Sequence, residues 1–286
     1  MRWASTLSRE PDPAQAFGDA ADGIEHQLEG RDPDLVLAFV SPEHAEACEH
    51  VLALAASRFP RALVVGCTAG GVIGGAREAE EWPAFSLTAA ALPGVTLSAF
   101  RVEPGRRAGS DASEWRARVG CAPEASPRLL LLSDPFTVDV GAVIGALDRA
   151  YPATPKFGGL ASGGAVPGEN RLFVGEEVHE AGAVGIAFQG DVAVDTLVAQ
   201  GCRPIGEPMR VTRCRHTLLQ ELDGRPPLHA LTELYGTLEA LRLSACRALA
   251  RRPPGAARRA ALSGCSGSRC SPPSSSGAWW EPTRRA

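Results

Sequence analysis

The feature that most constrains this chain is a unit that occurs twice, about 92 positions apart. The apolar run DLVLAFV (34–40) leads to Ser41-Pro42, an N-cap and first helical position for a helix from Pro42 to about Arg58, then to a second apolar run, RALVVG, and the glycine loop GCTAGGVIG (66–74). Farther on, RLLLLSDP (128–135) leads into a helical stretch from about Thr137 to Ala150, with Val140, Val143, Ile144 and Leu147 inward, and then PKFGGLASGG (155–164). At the fixed offset, positions 35–40 fall on 127–132, Ser41 on Ser133, and Gly66, Ala69 and Gly71 on Gly158, Ala161 and Gly163. Short apolar runs alternating with helical periods read as buried strands joined by helices. Each copy is followed by two strand-like runs around a tight turn, AFSLTAAALPGVTLSAFRV and AGAVGIAFQGDVAVDTLVAQG, which read as hairpins. The expectation is an α/β fold of duplicated strand-helix-strand-Gly loop-hairpin units, about 31–103 and 127–202, forming a mixed sheet or paired sheets. Ahead of the first copy, Asp12 and Pro13 cap and begin a helix ending at Gly30, with Phe17, Ala20, Ile24 and Leu28 at helical spacing.

Two glycine loops that leave strand ends can converge on one crevice, the usual binding place in open α/β sheets. Neither loop carries the GK[ST] of a phosphate-gripping loop or GxGxxG, so nucleotide binding is disfavoured. GLASGG is not GxSxG, no histidine or acid pairs with Ser162 from the sequence, and no acid, base or nucleophile constellation emerges elsewhere. The chain does not read as an enzyme. The candidate ligand-binding residues are Gly66, Cys67, Thr68, Gly70 and Gly71 in the first loop and Phe157, Gly158, Gly159, Ser162 and Gly163 in the second. Gln200, Gly201, Cys202 and Arg203 of QGCRPIG complete the set. Backbone N–H groups of glycine turns can form an anion nest, Arg203 suits a carboxylate, and Asp134 can take an ammonium group or cap a turn. Close packing of one loop's backbone on the other is the competing reading of the same glycines.

With 286 residues and 44% hydrophobic content, the chain can bury one large core or two ordinary ones. A net charge of -4 gives no reason to expect nucleic acid, and no run is apolar enough to span a membrane or serve as a signal peptide. A cytoplasmic protein is expected. The eight cysteines lack metal or disulfide spacing. From Arg242 onward nine arginines stand against the single acid Glu281, so the tail carries about +8 and the rest about -12 by simple counting. This tail, 242–286, has no helical or strand period and reads as disordered. A reading frame shifted near residue 242 accounts for its Arg/Pro/Ser/Ala mixture better than a basic tail with a partner.

The motifs GCTAGGVIG, FGGLASGG, AGAVGIAFQGDVAVDTLVAQGCRPIG and VTRCRHTLLQELDGRPPLHALTEL, in this order, resemble those of FIST domain proteins, a sensory family of bacteria with eukaryotic F-box relatives. The resemblance covers about residues 14–240 and is most distinctive at QGCRPIG. It implies an N-terminal FIST sensing region over 14–225 and the opening of a C-terminal FIST region, truncated here, over 226–241. It also implies a small ligand such as an amino acid, and signalling partners such as a kinase or cyclase. No resident cofactor is expected. The family includes haem-binding gas sensors, for which His44, His50, His179, His216 and His229 are the histidines to consider. A protein-interaction module without ligand is the remaining alternative.

Overall fold

The computed structural model describes residues 1–80, 82–105, 111–197, 206–215 and 218–237. The chain divides into two compact units, Met1–Val198 and Ala199–Ala286. In the first, β1 (Arg2–Ser8) leads to α1 (Pro13–Leu28), β2 (Leu35–Val40), a 3-10 turn Pro42–Ala47, α2 (Cys48–Arg58) and β3 (Leu63–Thr68). The short strands β4 (Gly71–Gly74) and β5 (Arg77–Glu80) follow, then β6 (Phe85–Ala91), β7 (Val95–Val102), α3 (Ala112–Val119), β8 (Arg128–Ser133) and α4 (Val140–Ala150). The unit ends with β9 (Lys156–Leu160), β10 (Leu172–Val174), β11 (Glu177–His179) and β12 (Ala183–Gly190).

Two mixed sheets result, the paired-sheet form of the expected α/β fold. One runs β1-β6-β2-β3-β10-β11 and the other β7-β12-β8-β9. Their first four positions match in direction: antiparallel, antiparallel, then one parallel pair, β2 with β3 and β8 with β9. The parallel pairs are those joined through α2 and α4, as a crossover helix requires. The helices α1 and α2 cover the outer face of the first sheet, burying Phe17, Ile24, Leu28 and Leu52 against Val36, Phe85 and Leu87. The helices α3 and α4 cover the second sheet, with Trp115, Val143 and Leu147 against Leu129 and Leu131. A third cluster, including Leu35, Val65 and Cys67 from one sheet and Leu130, Leu132 and Ile186 from the other, fills the space between them. The layers are helix, sheet, sheet, helix, which is why the central strands are apolar on both faces.

Three sequence readings need correction. The runs 84–102 and, among its described residues, 181–201 are not hairpins: β6 pairs with β1 and β2, while β7 pairs in the other sheet with β12, whose second neighbour is β8. A strand buried along nearly its whole length needs a neighbour on each side, so the turn at Leu92–Gly94 passes the chain between sheets instead of folding it back. The hairpins that do follow the glycine loops are β4 with β5 and β10 with β11. Ser41 does not cap an α-helix: it precedes the 3-10 turn Pro42–Ala47 without a side-chain cap bond, its hydroxyl accepts from the Ala84 amide at 2.9 Å, and the α-helix begins only at Cys48. Ile144, expected inward, is 40% exposed.

In the second unit, β13 (Val211–Arg215) and β14 (Leu218–Leu222) form an antiparallel hairpin, and residues 227–237 are helical. The disordered or frameshifted tail expected at 242–286 lies outside the described residues.

Candidate functional site

The two glycine loops leave the C-terminal ends of β3 and β9 and touch. The Ser162 amide donates to the Thr68 carbonyl at 3.2 Å, and the Gly70 amide donates to Ser162 Oγ at 3.1 Å. A Cβ on Gly163 would lie 2.6 Å from Thr68 Cβ, so only glycine lets the second loop approach this closely. Gly66 and Gly158 meet the same demand inside the strands. A Cβ on either would stand 1.7 Å from the Ala38 carbonyl oxygen or 1.8 Å from that of Leu131, the residues paired with them on β2 and β8.

Beneath the loops runs a buried polar chain. The Asn170 side-chain amide donates to Asp134 Oδ1 at 2.8 Å, and the Thr137 hydroxyl donates to Asp134 Oδ2 at 2.5 Å. Asn170 Oδ1 accepts from the Gly164 amide at 2.8 Å, and Thr68 Oγ1 accepts from the Arg171 amide at 2.9 Å. Thr68, Asp134 and Asn170 are fully buried. Both oxygens of Asp134 are thus engaged by neighbours, which is the turn-holding role of that residue. The loop amides are engaged as well: Ala69 on Val40, Gly70 and Ser162 on one another's loops, Ala161 on Ser133. These four amides are spent on holding the loops together and are not left for an anion nest.

Beside this contact the sheets part into a cleft of about 610 Å³. One wall carries Phe39, Cys67, Ala69 and Gly71, and the other Leu130, Leu132, Phe157 and Gly158–Leu160, with residues 194–197 at its rim. The Phe157 ring stacks on Phe188, with centroids 6.2 Å apart, which fixes the floor. The lining is apolar except for Asp195 and Thr196. Burial pushes the Cys67 thiol up to about 12, so it remains a neutral apolar group.

Of the sequence candidates, Cys67, Gly71, Phe157, Gly158 and Gly159 therefore line one cleft, whereas Gly66, Thr68, Gly70, Ser162 and Gly163 hold strands and loops together. Gln200, Gly201, Cys202 and Arg203 lie outside the described residues. Phe39, Leu130, Leu132 and Asp195 line the cleft without having been singled out by sequence; the even positions of the run RLLLLS are the only hint, since they face the other sheet. Among the described histidines, His44 is buried, His50 and His229 are exposed and His179 sits beside Glu177; none lines the cleft, and His216 lies outside the described residues.

A model of the FIST N domain matches residues 34–225. An uncharacterized protein of Mycobacterium tuberculosis (strain ATCC 25618 / H37Rv) is 35% identical over 235 residues, 82% of this chain and 60% of the relative. One from Mycobacterium bovis (strain ATCC BAA-935 / AF2122/97) is 34% identical over 234 residues, covering 82% and 59%. The chain thus spans about 60% of the length of the curated relatives it matches. A solved structure titled as cyanuric acid hydrolase aligns over 66% of this chain and 68% of its own at 12% identity and a TM-score of 0.29, a likeness too slight to carry any argument.

Proposed function

Because this chain belongs to the FIST N domain family, a family of sensory domains, we propose that it senses a small molecule in the cleft between its two sheets and passes the signal to a protein partner such as a kinase or cyclase in the cytoplasm. The observation that carries the reading is the cleft itself. It is the size of a small-molecule site, mostly apolar, with a few polar groups at one rim. An amino acid with an apolar or aromatic side chain suits it: the side chain among Phe39, Leu132 and Phe157, and the ammonium group against Asp195. By its chemistry alone, the planar guanidinium fork of Arg203 in QGCRPIG suits a carboxylate. In this reading residues 14–225 form the sensing region, built from two like units, and 226–241 open a C-terminal FIST region.

Thermal unfolding with leucine, phenylalanine, their amines and their deaminated acids tests it. A saturable rise with the amino acids, reduced by Asp195→Asn, is expected. A second reading, a protein-interaction module without ligand, is favoured by the contact between the glycine loops, which uses Gly70 and Ser162 for packing. A flat response across the panel would decide for it.

A further inference from the structure

The two sheets differ at one edge. In the first, β3 is flanked by β10, which runs antiparallel to it with Phe173 opposite Gly66. The Thr68 amide donates to the Arg171 carbonyl at 2.9 Å and the Gly175 amide to the Val64 carbonyl at 2.8 Å, so the even residues of β3 face the added strand. Phe173 lies over Gly66, 2% exposed, in the same buried cluster as Leu52 of α2, with Val178 of β11 packed against it.

In the second sheet β9 holds the place of β3, yet among the described residues it is paired only with β8. The Leu129 amide donates to the Pro155 carbonyl and the Ala161 amide to the Ser133 carbonyl. By the alternation of a parallel ladder, the N–H and C=O groups of Lys156, Gly158 and Leu160 then face away from β8. Between this edge and α4 lies a groove of about 380 Å³ lined by Leu131, Val140, Ile144, Leu147, Gly158 and Leu160, among others. Its floor, Gly158, is the counterpart of Gly66, and its wall, Ile144, is the counterpart of Leu52. Leu52 is 4% exposed and Ile144 is 40% exposed. The difference is what a missing hairpin would leave.

We propose that the edge of β9 and the groove beneath α4 dock a β-hairpin of the β10–β11 form from another polypeptide. Its first strand runs antiparallel to β9 and places a side chain of phenylalanine size opposite Gly158, in the groove. Backbone pairing supplies the attachment and the groove supplies the selectivity, the logic of β-strand addition. The charges agree. The turn of such a hairpin falls at the Lys156 end of β9, as Gly175 falls at the Val64 end of β3, and the β10–β11 turn is acidic, Gly175-Glu176-Glu177. Lys156 already pairs with Asp148 at 2.7 Å and can share a second carboxylate.

The test uses the full chain and a backbone-cyclised, fluorescent peptide with the sequence of residues 170–180, NRLFVGEEVHE, so that the hairpin is formed before binding. Saturable binding is expected, with slowed hydrogen exchange at the Gly158 and Leu160 amides. Ile144→Arg, on an exposed position, should weaken binding at least about tenfold while leaving the melting temperature unchanged, and the peptide with Asp in place of Phe173 should lose binding. No saturable binding up to about 1 mM, or binding without protection of those amides, overturns the proposal. So does concentration-dependent dimerisation of the peptide-free chain that Ile144→Arg abolishes, for then the occupant of the edge is a second copy.

Discussion

The amide of Gly70 donates to the hydroxyl of Ser162 at 3.1 Å, and the two residues stand 92 positions apart, the offset at which the sequence repeats its glycine loops. Each loop is therefore held by the matching position of the other. Ser162→Ala removes this bond at an exposed amide that water can satisfy, so a loss of about 1 kcal/mol is expected. Gly163→Ala, which drives a methyl into Thr68, should cost more, about 1–3 kcal/mol. Urea unfolding of the two variants checks the order, and equal values would contradict it.

Gly66 and Gly158 make a stronger pair. At each, a methyl would overlap the carbonyl oxygen of the adjacent parallel strand, and backbone cannot swing aside as a side-chain tip can. Gly66→Ala and Gly158→Ala should each destabilise by about 3 kcal/mol or more. Gly159→Ala, with nothing within 4 Å of its Cβ, is the matched control and should fold like the parent. Melting temperatures of the three proteins decide.

The buried chain Asp134–Asn170–Thr68 ties the start of the β10–β11 hairpin to the ends of β3 and β8. Asn170→Ala leaves Asp134 Oδ1 without its amide donor and the Gly164 amide without its acceptor. Leaving two buried polar groups without partners costs about 3 kcal/mol or more, whereas Asp134→Asn keeps the shape and one accepting oxygen, sets its NH2 against a Thr137 hydroxyl that can turn to accept, and should cost less. Chemical denaturation of both variants measures the difference.

How much of this was legible in the sequence follows from what each pattern reports. Helix α1 announced itself through periodicity and its cap, for Asp12 accepts from the Gln15 amide at 2.8 Å, as Asp-Pro at a helix start requires; α3, with only Trp115 and Val119 buried, showed no apolar stripe and was not singled out. The apolar runs LVLAFV and RLLLLS were legible as strands because both of their faces are covered. Pairing was not. The segments β6 and β7 are joined by Pro93-Gly94, a good turn, and only the third dimension sends them to different sheets. Strand β1, half exposed in RWASTLS, lacked an apolar run, and β10 and β11 have three residues each, too few to show a period. At the site, glycines marked close approach but not what approached. Cys67 and Phe157 reach the cleft, while Gly70 and Ser162 reach each other, and the four leucines of β8 look alike although alternate ones face opposite layers.

Cysteine chemistry separates the layers further. Burial pushes both Cys48 and Cys67 up to about 12, whereas Cys214 is exposed. Iodoacetamide at pH 8, read peptide by peptide by mass spectrometry, should modify Cys214 within minutes and leave Cys48 and Cys67 unmodified until the protein is unfolded. Rapid native labelling of Cys67 would show that the cleft opens to solvent down to its wall.

His44 gives the fold a pH limit. Its side chain is 2% exposed and Nε2 has no hydrogen-bond partner. Burial holds its pKa below the ordinary 6.5, against smaller raising effects of a hydrogen bond to the Glu10 backbone and the charges of Glu43 and Asp12. A histidine so depressed is neutral in the folded protein and takes up a proton more readily when unfolded. Its contribution to stability is therefore complete above about pH 6.5 and is lost as the pH falls from there toward the folded value. His179, lowered first by burial and then by Arg101, acts in the same direction. Unfolding free energy measured between pH 7.5 and 5 should decline through this window, and His44→Leu, which cannot take up the proton, should flatten part of the decline. An unchanged slope in that variant would mean that other groups carry the acid sensitivity.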